Sequence, residues 1–283
     1  MKVPYNWLRD YVEIPYSPEE LANRLTMAGI EVEDIQIFAP LSDKIVAGKI
    51  EDLSLHPTSN KLQLVKVNAG DALLSVICGA WNIKKGDIVA LALPGSVLPD
   101  GREIRIAEIK GISSEGMLCS AAELGLELNG AEEGILILDE ECAPGTSLAD
   151  VLFVNEPVLE LELTPNRADC LGLLGVAREV AALTVKKIKL PESAVEETGR
   201  DIHELAEVQI LETELCPRYT ARVMEGFKIK PSPLNMQLRL LSAGIRSIYN
   251  LVDVTNYVMW ETGFPMHAFD YDKVSGSTIK ARY

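Results

Sequence analysis

His267, in the stretch NYVMWETGFPMHAFD (residues 256–270), is one of only three histidines in 283 residues. Imidazole titrates near neutral pH and can orient a water or carry its proton, so hydrolysis is one chemistry to consider here. Its neighbours Met266 and Ala268 are apolar, and by itself such a histidine reads as a hydrogen-bonded core residue. A second chemistry is the holding of a polyanion. Lys61, Lys66, Lys84 and Lys85 lie close in sequence, with Trp81 among them. Ammonium groups follow a phosphate backbone and an indole face stacks on a base, the usual means of holding single-stranded nucleic acid. Taken singly, each lysine reads as a solvated face, Trp81 as core, and His56 before Pro57 as a turn residue. Asn166, Arg167 and Asp169 in TPNRAD also look chemical, but Asp169 stands where a helix cap belongs and the group reads as structure.

The elements that position these residues are legible from punctuation and period. Ser17-Pro18-Glu19-Glu20 predicts a helix start, with Leu21, Leu25 and Ala28 as its buried stripe and Gly29 as its stop. IEVEDIQIF is extended. From Asp43 come five short strands, KIVAGKIEDL, LQLVKVN, LLSVICG, DIVALAL and REIRIAEI, which predict a small Greek-key barrel. SSEGMLCSAAELGL reads as helical, and acidic loops run on to Asp150. VLELEL alternates as a strand. TPNRADCLGLLGVAREVAALTVKK predicts a helix with Cys170, Leu173, Leu174, Ala177, Val180 and Ala181 on one face. PESAVEETGRD is a linker or exposed loop, and RYTARVMEGFKI a further strand. PSPLNMQLRLLSAG follows as a helix capped by Ser232, with Pro233 in its first turn and Gly244 at its end. NLVDVTNYVMWETG predicts a second helix that buries Leu251, Val254 and Val258.

The formal net charge is −15, but it is unevenly spread. Residues 44–112 carry nine Lys and Arg against seven Asp and Glu, residues 113–150 none against nine, and residues 216–283 nine against five. A local polyanion site is therefore permitted within an acidic protein. Apolar runs fall short of the roughly 20 residues that span a bilayer. Arg9, Asp10 and Glu13 interrupt the start where a signal peptide is apolar. Five scattered cysteines (78, 119, 142, 170 and 216) without a CxxC pair argue for a reducing, cytoplasmic setting with neither a disulfide framework nor a zinc cluster.

Order and spacing of motifs add a resemblance. HPTSNKL, ICGAWN, LPGSVLP and SSEGMLCSAAELGL look like the tRNA-binding OB domain shared by several aminoacyl-tRNA synthetases and free tRNA-binding proteins. The flanks MKVPYNWLRDYV, AGIEVE, LTPNRADCLGLLGVAREVAAL and IYNLVDVTNYVMWETGFPMHAFD resemble the beta subunit of bacterial phenylalanyl-tRNA synthetase, and the likeness runs from Met1 to Tyr283.

That resemblance implies an α+β, multidomain fold. A five-stranded OB-fold barrel at 41–150 would be inserted in a small α/β domain made of 1–40 and 151–195, and a truncated α+β editing domain would begin at 196. Partners would be tRNA(Phe) and the alpha subunit of an α2β2 heterotetramer, without a membrane. Ligation would fall to the alpha subunit, so ATP and Mg belong to the whole enzyme, and this chain would hold no cofactor or metal and be inactive alone. Lys61, Lys66, Asn82, Lys84, Lys85, Ser114 and Met117 would face tRNA. Arg246, Thr255, Asn256 and His267 match the family's pocket that hydrolyses tyrosine wrongly attached to this tRNA, which a more distant glutamate completes. Without the resemblance, Thr255 and Asn256 are ordinary helix positions and Arg246 a surface cation. Two other readings stay open at this point, a stand-alone tRNA-binding OB protein and a free-standing aminoacyl-tRNA deacylase.

Overall fold

The structure is a computed structural model and describes residues 1–130, 134–138 and 142–283. In chain order, β1 (Lys2–Pro4), α1 (Tyr5–Arg9), α2 (Pro18–Met27) and β2 (Glu31–Phe38) lead into β3 (Ile45–His56), β4 (Ser59–Asn68), β5 (Leu73–Cys78), β6 (Ile88–Ala92), β7 (Ala107–Ile109), β8 (Ile112–Ser114) and β9 (Met117–Leu118). The chain continues through α3 (Leu148–Leu152), β10 (Glu156–Glu162), α4 (Leu173–Thr184), α5 (Ile202–Leu205), β11 (Glu207–Ile210), α6 (Leu234–Ser242), α7 (Asn250–Thr262) and β12 (Thr278–Ala281).

The first sheet has the antiparallel order β1-β10-β2, so the two ends of a long insertion share one sheet. Trp7, Leu8, Leu21, Leu25, Leu159, Leu173, Val176 and Val180 form its core with α2 and α4. Ser17 caps α2, accepting from the Glu20 N–H at 3.2 Å, but the Glu20 carboxylate turns to Arg24 instead of closing the capping box. Gly29 stops the helix at φ +88°. Ala28 is exposed and Ala22 takes its place in the buried stripe. Asp169 is not a cap: α4 starts after Gly172, and Asp169 lies in a short 3-10 turn packed so tightly that a Cβ on Gly175 would come within 1.8 Å of its carbonyl oxygen.

The insertion is a five-stranded antiparallel sheet of order β5-β4-β3-β6-β9. Its outer strands approach each other. The Ser75 N–H donates to the Glu115 carboxylate at 2.8 Å, the Glu115 N–H to the Ser75 carbonyl at 2.8 Å, and the Ile77 N–H to Ser114 Oγ at 3.0 Å. The expected fifth strand, REIRIAEI, contributes only Ala107–Ile109 to a separate hairpin with β8, and Met117–Leu118 supplies the fifth strand instead. The expected helix over SSEGMLCSAAELGL shrinks to a 3-10 turn at Ala122–Leu124, because its first residues are spent on β5 and β6. The acidic loops read up to Asp150 fall partly on 131–133 and 139–141, outside the described residues. The two ends of the insertion are tied by Asn155, whose side chain accepts from the Leu41 N–H at 2.6 Å and donates to the Leu41 carbonyl at 3.2 Å.

RYTARVMEGFKI forms no strand, since alternation alone does not settle pairing, and the sheet of this region is β11 beside β12 in parallel. Helices α6 and α7 pack on β1, α1 and the residues just after α1. The Trp7 and Tyr257 rings lie 4.5 Å apart, Trp260 Nε1 donates to the Lys2 carbonyl at 3.1 Å, and Tyr11 donates to Glu261. Arg239 joins Tyr257 and Asp10. Gly244 ends α6 as read, at φ +79°. Ser232 does not cap α6, because its buried hydroxyl is committed to Asp253. The inward face of α7 is also not the expected one: Asp253 is fully buried, while Val254 is 42% exposed and Leu251 and Val258 only half-buried.

One buried acid gives a pH signature. Glu156 accepts from the Asn6 and Trp7 N–H groups at 2.6 and 3.3 Å, yet burial raises its pKa from the ordinary 4.5 to about 7. An acid with a raised folded-state pKa binds its proton more tightly when folded. Its contribution is complete below about pH 4.5 and is lost as pH rises to about 7. We expect a loss of about 2–3 kcal/mol across that window, removed by Glu156→Gln; chemical unfolding of both proteins at pH 5 and pH 8 checks it, and equal pH slopes would refute it.

Candidate functional site

The C-terminal candidates come from three successive segments. Arg246 lies in the loop after α6, Thr255 and Asn256 sit on consecutive positions of α7, and His267 follows the left-handed Gly263 that ends this helix. Asp253 fixes the start of α7 by accepting from Ser232 Oγ, Ser247 Oγ and the Ile248 N–H. At about 100° per residue, Thr255 then faces away from Asp253, on the outer side of the helix with Leu251, Val254 and Val258. Thr255 Oγ1 donates to the Val252 carbonyl at 2.7 Å, which leaves its lone pairs outward. Arg246 and His267 are exposed, and the imidazole stacks on Phe269 at a centroid distance of 6.2 Å. Among the described residues no hydrogen bond or ion pair joins any two of these four. His267 is therefore not the satisfied core histidine that its apolar neighbours suggest.

The candidates on the five-stranded sheet separate into two kinds. Lys61, Lys84 and Lys85 are exposed and, among the described residues, make no ion pair. Lys66 reaches Ser75 Oγ across the β4–β5 pair. The others are structural in their contacts. Ser114 is buried between the Ile77 N–H and the Gly116 carbonyl, which takes its hydroxyl out of reach of any ligand. Both ends of the Asn82 amide are spent on the Ile135 backbone, at 3.0 and 2.9 Å. Met117 pairs with Ala92 and packs beside the core. Trp81 is the correction in the other direction: it is 56% exposed, not core.

Lys110 is a cation the sequence reading passed over. It sits on the β7–β8 hairpin, its Nζ donating to Ser59 Oγ at 3.0 Å, beside the β3–β4 hairpin. A Lys-Gly pair at a tight turn was the available signal. His56 is not the turn residue that Pro57 suggests but the buried last residue of β3, paired with Ser59 ahead of the turn at 57–58; its Nδ1 accepts from the Thr58 N–H at 3.2 Å.

Asp169, Cys170 and Glu179 bring three donor atoms within 4.8 Å of one another. The Arg167 guanidinium fills that cluster, 3.0 Å from Asp169, 2.8 Å from Glu179 and 3.2 Å from the Cys170 sulfur. This pairing lowers the pKa of Asp169, while burial lifts the Cys170 thiol to about 11, a poor state for a metal ligand. The cluster is a brace between the 3-10 turn and α4.

Known proteins sharpen the picture. The family described as "Putative tRNA binding domain" matches residues 45–147, the five-stranded sheet and its surroundings, and the B3/4 domain matches residues 215–283, the segment of α6, α7 and His267. The chain is thus a tRNA-binding-domain protein with a B3/4 domain behind it. Over its whole length it is 49% identical to the phenylalanine--tRNA ligase beta subunit of Moorella thermoacetica, 48% to that of Syntrophus aciditrophicus and 47% to that of Geobacter sulfurreducens. It covers 36% of the first of these relatives and 35% of the other two, about a third of their length. The chain belongs to the family of phenylalanine--tRNA ligase beta subunits.

Proposed function

We propose that the chain is the tRNA-binding and proofreading part of a phenylalanine--tRNA ligase beta subunit. The match to beta subunits over the whole of this chain, with a tRNA-binding domain over the sheet and loops that carry the exposed lysines, is the observation that carries this reading. In it, the five-stranded sheet is an OB-type barrel. The contacts of Ser75 and Ile77 with Ser114 and Glu115 support closure. Domain limits follow the reading above, with 41–150 inserted between 1–40 and 151–195, and the proofreading domain from 196. The partners are tRNA(Phe) and an alpha subunit in an α2β2 assembly of the cytoplasm. ATP and Mg serve ligation in the alpha subunit. No described helix is long and apolar enough to cross a membrane.

Proofreading asks little of the protein beyond positioning. Water attacks the ester carbonyl of tyrosine attached to the tRNA, the carbon–oxygen bond to the ribose breaks, and tyrosine and tRNA with its ribose hydroxyl restored are released. His267 orients the water and passes its proton toward the leaving ribose oxygen. Thr255 and Asn256 hold the terminal nucleotide by hydrogen bonds, and Arg246 meets a phosphate. Arg246 and His267 are exposed and make no hydrogen bond or ion pair among the described residues, which supports these roles.

Charge sets the strength of tRNA binding. Residues 44–112 carry a net charge of +2, nine positive against seven negative. Binding is therefore expected to weaken with salt along a shallow slope of two to four phosphate contacts, roughly −2 to −4 in log affinity against log salt. Titrating labelled tRNA(Phe) at several ionic strengths tests the reading. Affinity unchanged between low and high salt would overturn the electrostatic account, and absence of binding at low salt would leave the sheet a scaffold.

A further inference from the structure

The loop between β5 and β6 holds an indole in the open on a backbone that is pinned on both sides. Before it, the Ala80 carbonyl accepts from Gln63 Nε2 at 2.6 Å, the Ala80 N–H reaches the Cys78 sulfur at 3.4 Å, and Leu62 stands against Gly79. After it, the doubly bonded Asn82 amide locks the loop to Ile135, and Gly134 comes so near that a Cβ there would lie 2.4 Å from Asn82 Oδ1. Ile83 is buried in the sheet's core. Between these anchors Trp81 remains 56% exposed, followed within four residues by Lys84 and Lys85, which are exposed and make no ion pair among the described residues.

Such a loop is costly unless the ring has a use. Two anchors restrict the backbone beforehand, so less conformational entropy remains to be lost when a flat group docks. An aromatic face on a pinned backbone, a few residues from two ammonium groups, suits a nucleobase joined to phosphates better than an apolar protein surface, for which the two lysines would have to be desolvated.

Building on the tRNA-binding reading above, we propose that Trp81 is a stacking platform for one unpaired base of the bound RNA, with Lys84 and Lys85 on the adjoining phosphates. The ligand is thus a loop or single-stranded segment and not a helical stem, whose bases are already stacked on each other.

The test uses the 283-residue chain with tRNA(Phe) and with a short single-stranded RNA. Trp81→Ala should weaken both roughly 5- to 150-fold, the worth of one stacked base, and leave the salt slope unchanged; Trp81→Phe should restore most of the affinity. Lys84→Ala with Lys85→Ala should instead make the slope shallower, by roughly 0.7 per lost contact on the single strand. Unchanged affinity in Trp81→Ala, alongside salt-sensitive binding that the lysine changes weaken, would overturn the platform while keeping tRNA binding. A wild-type chain that binds neither RNA would overturn both. Normal RNA binding by Trp81→Ala with lost binding of the alpha subunit would assign the indole to a protein partner and also refute the proposal.

Discussion

Alanine at position 267, in the whole beta subunit assembled with its alpha partner, is expected to slow hydrolysis of tyrosine-charged tRNA(Phe) by about 10²–10⁴, the usual worth of a positioned proton-handling group. Phenylalanine charging should stay at the wild-type level, because ligation is assigned to the other subunit. His267 is exposed and makes no hydrogen bond among the described residues, so its removal costs the fold little. Deacylation of pre-charged tRNA by the wild-type and variant assemblies gives the answer in one experiment. Undiminished hydrolysis in His267→Ala would take this side chain out of the chemistry and leave only its contact with Phe269.

The largest expected effect on stability lies at Asp253, the fourth residue of α7. This carboxylate has no exposure at all and accepts from two serine hydroxyls and one backbone N–H. Asp253→Ala would leave two buried serine hydroxyls and the part-buried Ile248 N–H without this acceptor, at a cost of about 3–5 kcal/mol. Hydrogen exchange of the α6 and α7 amides should show local opening easier by that amount, with the amides of β3, β4 and β6 unaffected. Equal loss of protection everywhere would mean that α7 opens only with the whole molecule.

Asp253 also shows where sequence reading stopped. Apolarity selected Leu251, Val254 and Val258 as the buried face of α7, but the helix turns inward Tyr257, Trp260 and an aspartate. Each of these finds a polar partner at its tip, namely Arg239, the Lys2 carbonyl and the two serines. A period count cannot anticipate polar partners that lie outside the helix, from six residues away for Ser247 to 258 for Lys2. Local signals fared better. The Ser17 cap, the Gly29 and Gly244 stops, the strand in VLELEL and four of the five strands of the inserted sheet all depend on neighbours in sequence. RYTARVMEGFKI alternates yet pairs with no strand among the described residues, and REIRIAEI lost its place to Met117–Leu118, because strand choice is settled by pairing and not by pattern. At the candidate site, residue types were legible and exposure was not. Ser114 and Asn82 proved structural, and Trp81 and His267 proved open, since burial depends on loops that pack from elsewhere.

The clasp between Leu41 and Asn155 has a consequence for the order in which the molecule assembles. β2 and β10 are neighbours in the first sheet, yet residues 39–155 lie between them. Left as a flexible coil, that stretch would have to be gathered before a single β2–β10 bond could form, and β10 is also the strand that β1 needs. Once β3 to β9 have folded among themselves, Val46 bridges Ser147 and the two exits of the insertion stand side by side, so that only the few residues around Leu41 and Asn155 remain to be closed. The inserted sheet should therefore form first as the chain emerges, and act as the template that brings the N-terminal strand to its partner. The amino terminus, with Trp7 and Tyr11, has to wait for residues beyond 250 before its last contacts can be made.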